Sequence, residues 1–115
     1  MSRLKHADAL ALADLMHNEL AGTDFYLERQ LAEECVEYAH AIYKIIRAIN
    51  GETPVSPQEA LTNVLEEFAD VLLMGDIVYA AIKGKTADRG AEVDRWYEFK
   101  RKRIVERAKE RCEDE

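Results

Sequence analysis

The chain has 115 residues, of which 48% are hydrophobic and 34% charged, and its formal net charge is −7. These values fit one compact domain and exclude a disordered or collagen-like chain. The excess of acidic over basic residues, 23 against 16, argues against binding of bulk nucleic acid.

The absence of targeting signals and the number and spacing of the cysteines indicate the cellular compartment of the protein. The sequence shows no signal-peptide pattern and no apolar stretch of the ~18 residues that a membrane span requires. Its two cysteines, Cys35 and Cys112, form no C-x-x-C pair, which excludes a thiolate zinc site. We expect Cys35 to be a small core residue and Cys112 an exposed thiol. The sequence therefore predicts a cytoplasmic protein without a membrane span.

Helix-breaking residues divide the chain into four segments. They fall at residues 21–24, 50–54, 83–85 and 89–90, and the segments between them carry helix formers without the alternation of a strand. The sequence predicts an all-α, four-helix bundle-type domain spanning residues 1–115. Its helices are expected at residues 3–20, 25–49, 57–83 and 91–111.

Two boundaries carry specific signals. Ser56, Pro57 and Glu59 form a capping box with proline at the first helical position, which predicts the start of the third helix. Asn50 and Gly51 predict the end of the second helix, because glycine adopts the left-handed conformation without a Cβ penalty.

The third helix is apolar almost all the way round from residue 71 to residue 82. Such a segment has to be buried on every side, and three other helices can barely cover it in so short a chain. We therefore expect a homo-oligomer with the third helix in the interface. Asp76 falls within this segment and needs a partner, from an interface contact or from a capped hydrogen bond.

Carboxylates border the core on two helices. The second helix carries Glu33, Glu34 and Glu37 beside its apolar stripe, and the third carries Glu67 and Asp70 on one face. Antiparallel packing would bring four oxygen ligands together, a set that suits Mg²⁺ or Mn²⁺ better than Zn²⁺. An ordinary solvated acidic face is the alternative.

Iron is a weaker alternative for these acids. Glu37 and His40 form one Glu-x-x-His element, whereas a di-iron carboxylate bundle needs two such elements. The third helix supplies Glu-x-x-Asp in place of the second one.

The last helix concentrates basic charge, with eight of the 16 Lys and Arg residues between residues 95 and 111. Lys100, Arg103 and Arg107 stand at i, i+3 and i+7 and could line one face beside a polyphosphate. The neighbouring aromatic residues are expected to pack the helix rather than to stack on a base. They are Trp96, Tyr97 and Phe99.

The order Glu33-Glu34-x-x-Glu37 followed by Glu67-x-x-Asp70 resembles the EExxE and ExxD motifs of the MazG-like all-α nucleoside triphosphate pyrophosphohydrolases. The similarity spans about residues 27–82, and the basic last helix is also typical of the family. The resemblance implies a homodimer or homotetramer that uses Mg²⁺, with Mn²⁺ as a substitute. It also implies hydrolysis of a nucleoside triphosphate to a monophosphate and pyrophosphate, in nucleotide-pool housecleaning.

The resemblance also assigns roles to residues. It implies metal ligation by Glu34, Glu37, Glu67 and Asp70, and activation of the attacking water by Glu33, so that the catalytic group is Glu33, Glu34 and Glu37. Asn63 would contact a phosphate or the base. The phosphate contacts would be Lys100, Arg103 and Arg107, and the walls of the base pocket Tyr43 and Trp96.

Two other functions remain open at the sequence level. Phosphoribosyl-ATP pyrophosphohydrolases share such paired acidic helices, but their second helix continues through Tyr-His where this chain has residues 72–75, Leu-Leu-Met-Gly. A non-catalytic helical interaction module, whose acids only solubilise it, is the alternative from a different class.

Overall fold

Four α-helices form the described part of the chain, which comprises residues 3–19, 25–85 and 87–114 of a computed structural model. They are α1 (His6–Glu19), α2 (Tyr26–Ile49), α3 (Pro57–Lys85) and α4 (Ala87–Asp114). No strand occurs in these ranges, which confirms the all-α prediction. The break predicted at residues 21–24 lies outside the described residues.

The chain divides into two compact units. The first, Met1–Ala81, contains α1, α2 and most of α3, and the second, Ile82–Glu115, contains the end of α3 and α4. None of the helices within the described ranges is long and apolar enough to cross a membrane.

Backbone hydrogen bonds end α2 where the sequence predicts. Gly51 has φ +72° and donates its N–H to the Ala48 carbonyl, and Glu52 donates to the Arg47 carbonyl at 2.9 Å. This pair of bonds is a Schellman motif, which satisfies carbonyls that the helix end leaves unpaired. The left-handed glycine predicted at this position is confirmed.

The start of α3 is confirmed in the same way. α3 begins at Pro57, and the Ser56 hydroxyl oxygen accepts the backbone N–H of Glu59 at 3.1 Å. The cap supplies an acceptor for one of the N–H groups that have no partner within the helix. The loop and the direction of α3 are therefore set by local chemistry.

Helices α2 and α3 run antiparallel. The Tyr38 ring of α2 lies 5.7 Å from the Phe68 ring of α3, whereas residues near the end of α2 face the beginning of α3. Several of the buried positions are alanines, including Ala41, Ala48 and Ala60, and small side chains let two helices approach closely. The pairing brings the acidic positions of the two helices to the same level.

Helix α1 covers part of this unit and contacts α2. Ala9 and Ala13, one turn apart, are its buried residues among those described. Just before α1, Arg3 forms a bidentate ion pair with Asp76 of α3, with Nη2 2.7 Å from Oδ1 and Nε 3.1 Å from Oδ2. The partner that the sequence required for Asp76 thus comes from the same chain.

The third and fourth helices extend into residues that were predicted to separate them. Residues 83–85 continue α3, and Gly90 lies inside α4. Gly90 is buried, and a Cβ at this position would lie 3.0–3.2 Å from Cγ, Cβ and Cα of Lys83. The glycine therefore permits close packing between the end of α3 and the start of α4, which is a tertiary requirement rather than a break in the backbone.

Burial differs from expectation at several side chains. Cys35 is exposed and does not belong to the core. It follows Glu34, which faces α3, by one residue, and this rotation of 100° turns its side chain away from α3. Cys112 is exposed as expected. In the apolar half of α3, Ile77, Val78, Ala80 and Ala81 are buried within the single chain, while Leu73 is 47% exposed. The α4 aromatics are exposed, although the Trp96 and Phe99 rings meet edge to face at 6.0 Å.

Candidate functional site

Three carboxylates from two helices converge at one point, and we call them the acid triad: Glu34, Glu67 and Asp70. Each offers one oxygen, and these oxygens lie within 4.8 Å of one another. Glu34 lies on the side of α2 that faces α3, and Glu67 and Asp70 are separated by about one turn of α3. The antiparallel pairing, together with i, i+3 spacing, therefore builds the cluster.

The acid triad lies at the protein surface. Glu34 and Glu67 are half-buried, and Asp70 is exposed. A small ion or a phosphate group can therefore reach the carboxylate oxygens without rearrangement of the helices.

Four other acidic side chains affect the ionisation of Glu34. The pKa of Glu34 is raised, first by partial burial and then by the charges of Asp70, Glu67, Glu37 and Glu33, in that order. Burial and nearby like charges both disfavour the ionised carboxyl group. Glu34 is thus the residue where the negative potential of α2 and α3 is concentrated, and a bound cation would relieve it.

The donor set fits a hard divalent cation. Mg²⁺ takes oxygen ligands in an octahedron at ~2.0–2.1 Å, so that opposite ligand oxygens are about 4.2 Å apart. Ligand oxygens that already lie within 4.8 Å of one another require only small side-chain movements to match this geometry. Three carboxylates also leave coordination positions for water and for substrate oxygens.

The other acids predicted for this site lie beside it. Glu37 follows Glu34 by about one turn on α2 and is exposed, outside the group of converging oxygens. Glu33 is also exposed. Both contribute charge at Glu34, which places them in its electrostatic surroundings. His40, the residue behind the iron alternative, is exposed and lies outside the group.

The predicted substrate-binding residues occupy two places. Asn63 lies one turn before Glu67 on α3 and lines a pocket of about 400 Å³, formed by the end of α2, the connecting loop and the start of α3. Lys100, Arg103 and Arg107 are exposed on α4, in the second unit. Among the base-pocket candidates, Tyr43 and Trp96 are both exposed.

Sequence reasoning missed most of this pocket, which we call the basic pocket. Its residues are Lys44, Arg47, Thr53, Val55, Glu59, Ala60 and Asn63. The available signal was the i, i+3 spacing of two cations on α2. That spacing alone does not show what lies opposite, because the facing wall depends on how the loop returns to α3.

Comparison of the chain with protein-family models, curated proteins and solved structures finds no match in any of the three. The function is therefore inferred from the residues of this chain and from the geometry of the acid triad.

Proposed function

We propose that this protein is a Mg²⁺-dependent nucleoside triphosphate pyrophosphohydrolase of the MazG-like kind, producing a nucleoside monophosphate and pyrophosphate. The observation that carries the proposal is the convergence of Glu34, Glu67 and Asp70 from two antiparallel helices. The resemblance of the two acidic motifs to those of that family supports it.

Each acidic residue has a role in this proposal. Glu34, Glu67 and Asp70 hold the cation, and Glu37, about one turn from Glu34 on α2, is included as a further ligand because of the resemblance. Bound Mg²⁺ neutralises charge on phosphate oxygens and lowers the pKa of coordinated water. Glu33, exposed at the edge of the site, accepts the proton of the attacking water.

The polar and basic residues would bind substrate. The Asn63 amide, one turn from Glu67, donates a hydrogen bond to a phosphate oxygen or to the base. Lys100, Arg103 and Arg107, at i, i+3 and i+7 on α4, are included as phosphate contacts because of this spacing and the resemblance.

A homodimer or homotetramer is part of the proposal. Leu61, Leu65 and Phe68 form a stripe at i, i+4 and i+7 on α3 and are 46%, 59% and 45% exposed. A contiguous apolar stripe on an exposed helix face is typical of an association surface. A cytoplasmic setting is also proposed, because both thiols are free.

The test is pyrophosphate release from a panel of canonical and modified nucleoside triphosphates, with Mg²⁺ or with EDTA. Glu67→Gln should reduce release by at least about 100-fold, since it removes a ligand charge from the cation site. Glu66→Gln, an exposed neighbour on the same helix, is the matched control and should retain activity.

Two outcomes would count against the proposal. Equal activity in the Glu67 and Glu66 variants would show that the acid triad does not support the reaction. If no nucleotide in the panel releases pyrophosphate, the enzyme assignment fails for these substrates, and a Mg²⁺ titration then asks whether the triad binds metal at all.

A further inference from the structure

The basic pocket carries chemistry that the acid triad does not use. Lys44 and Arg47, on neighbouring turns of α2, line the same cavity as Asn63 of α3. Within the described residues, neither cation forms an ion pair, whereas Arg3 and Arg101 are both paired with carboxylates. Two unpaired cations facing one cavity favour an anionic ligand.

The remaining walls suit a ligand with a polar head and a less polar body. The Thr53 hydroxyl oxygen accepts the Val55 N–H at 3.0 Å, which orients the side chain and leaves its own proton to donate. Val55 and Ala60 supply apolar surface. A volume of about 400 Å³ lies in the range of small-molecule sites and exceeds what a bare inorganic ion fills.

The two cations of the pocket are separated from Glu34 of the acid triad along α2. Lys44 follows Glu34 by ten residues on α2, which is about 15 Å along the helix axis at 1.5 Å per residue. Lys44 and Arg47 therefore lie nearly three turns or more along α2 from Glu34, while Asn63, which also lines the pocket, lies one turn from Glu67 on α3. The α2–α3 pair thus carries an acidic site towards one end and a basic site at the other.

We propose that the basic pocket is a second ligand site, which binds the phosphate monoester of a small phosphorylated metabolite without a metal ion. Lys44 and Arg47 pair with the phosphate oxygens, and Thr53 donates a hydrogen bond to the ligand. Val55 and Ala60 contact its body. Glu59, the acid in the lining, opposes anion binding and limits affinity.

The experiment measures binding of adenosine monophosphate to the full chain by calorimetry in EDTA, so that metal-dependent binding at the triad is absent. Inorganic phosphate and adenosine serve as separate probes of the head group and the body. Lys44→Ala and Arg47→Ala should each weaken binding of the monophosphate by about tenfold, as expected for loss of a charged hydrogen bond. Both side chains are exposed, so the variants should fold.

Controls fix the location and the sign of the effect. Arg29→Ala removes an exposed cation from the other end of α2 and should leave binding unchanged. Glu59→Gln should tighten binding, because it removes the opposing charge. The proposal is overturned if adenosine binds as well as its monophosphate, if the Lys44 and Arg47 variants bind like wild type, or if binding requires Mg²⁺.

Discussion

Glu34 is the residue on which the charges of α2 and α3 act together. Its carboxyl group is half-buried, and four other acids raise its pKa in addition to the effect of burial. Repulsion between neighbouring carboxylates costs about 0.2–0.5 kcal/mol per pair on a helix. The folded protein without metal therefore carries a local electrostatic cost at this site, of the kind that a cation would remove.

We predict that Glu34→Gln stabilises the metal-free protein at pH 7. Because the folded-state pKa of Glu34 lies above its unfolded value, the folded state binds the proton more tightly, and stability falls as pH rises from about 4.5 through the folded pKa. At pH values above the folded-state pKa, the loss of stability caused by Glu34 no longer changes with pH. Removing it should raise the Tm by about 1–4 °C at neutral pH.

Thermal melts in EDTA between pH 3.5 and 8 provide the measurement. The gain should disappear at the acid end, where Glu34 is protonated in both states, and Mg²⁺ should stabilise wild type more than the variant. Parallel pH profiles for the two proteins would contradict the prediction. Glu66→Gln serves as the control for removal of one exposed acid.

Residue patterns predicted that the three acids of the triad would meet, together with Glu37, which lies outside the group; they did not predict the basic pocket. Glu34, Glu67 and Asp70 could be grouped because helical spacing assigns each to a face, and two antiparallel faces have few ways to meet. Lys44 and Thr53 could not be grouped, because one belongs to α2 and the other to the loop. Their proximity depends on the path of the loop, which no periodicity describes.

At the level of elements, two glycines with opposite backbone requirements allow a paired test of helix energetics. Gly51 has φ +72°, while Gly75 lies within α3, and an added Cβ would meet nothing within 4 Å at either position. A new methyl group would therefore meet no neighbouring atom at either position, and the two substitutions differ only in the backbone conformation that the alanine has to adopt. We predict that Gly51→Ala destabilises the protein by about 1 kcal/mol, because an L-residue resists the left-handed conformation.

Gly75→Ala is predicted to stabilise the protein by about 0.5–1 kcal/mol, because alanine restricts the unfolded chain and favours the helix. Urea unfolding of both variants against wild type gives the two free energies. Gly51→Asn should lose less than Gly51→Ala, since asparagine tolerates the left-handed region. A loss in both alanine variants would mean that the open space at Gly75 is filled in solution.

Helix boundaries were predictable where local chemistry determines them. Ser56 and Gly51 act through hydrogen bonds and dihedral angles within a few residues, and both boundaries are confirmed. Gly90 was misinterpreted because its role involves Lys83, on a different helix. A glycine in a sequence signals freedom of the backbone or close approach of a neighbour, and only the tertiary structure distinguishes the two.

At the level of the whole molecule, the exposed apolar side chains bear on association between copies of the chain. In the apolar half of α3, the chain itself buries Ile77, Val78, Ala80 and Ala81 and leaves most of the other residues partly exposed. The exposed apolar stripe lies earlier on α3, at Leu61, Leu65 and Phe68. The proposed oligomer interface is therefore expected there, on the helix that also carries Glu67 and Asp70.

We predict that wild type sediments at a multiple of the 13.2 kDa chain mass and that Leu65→Glu shifts it towards monomer. A buried carboxylate at the centre of an apolar interface is unpaired, so the dissociation constant should rise by at least about tenfold. Ala32→Glu adds the same charge at an exposed position of α2, away from the α3 stripe, and should leave the mass unchanged. Leu65 is already 59% exposed in the single chain, so the substitution should not unfold it. A monomeric wild type, or equal dissociation of the two variants, would contradict the proposed interface. Selective dissociation by Leu65→Glu would locate it on the apolar stripe of α3.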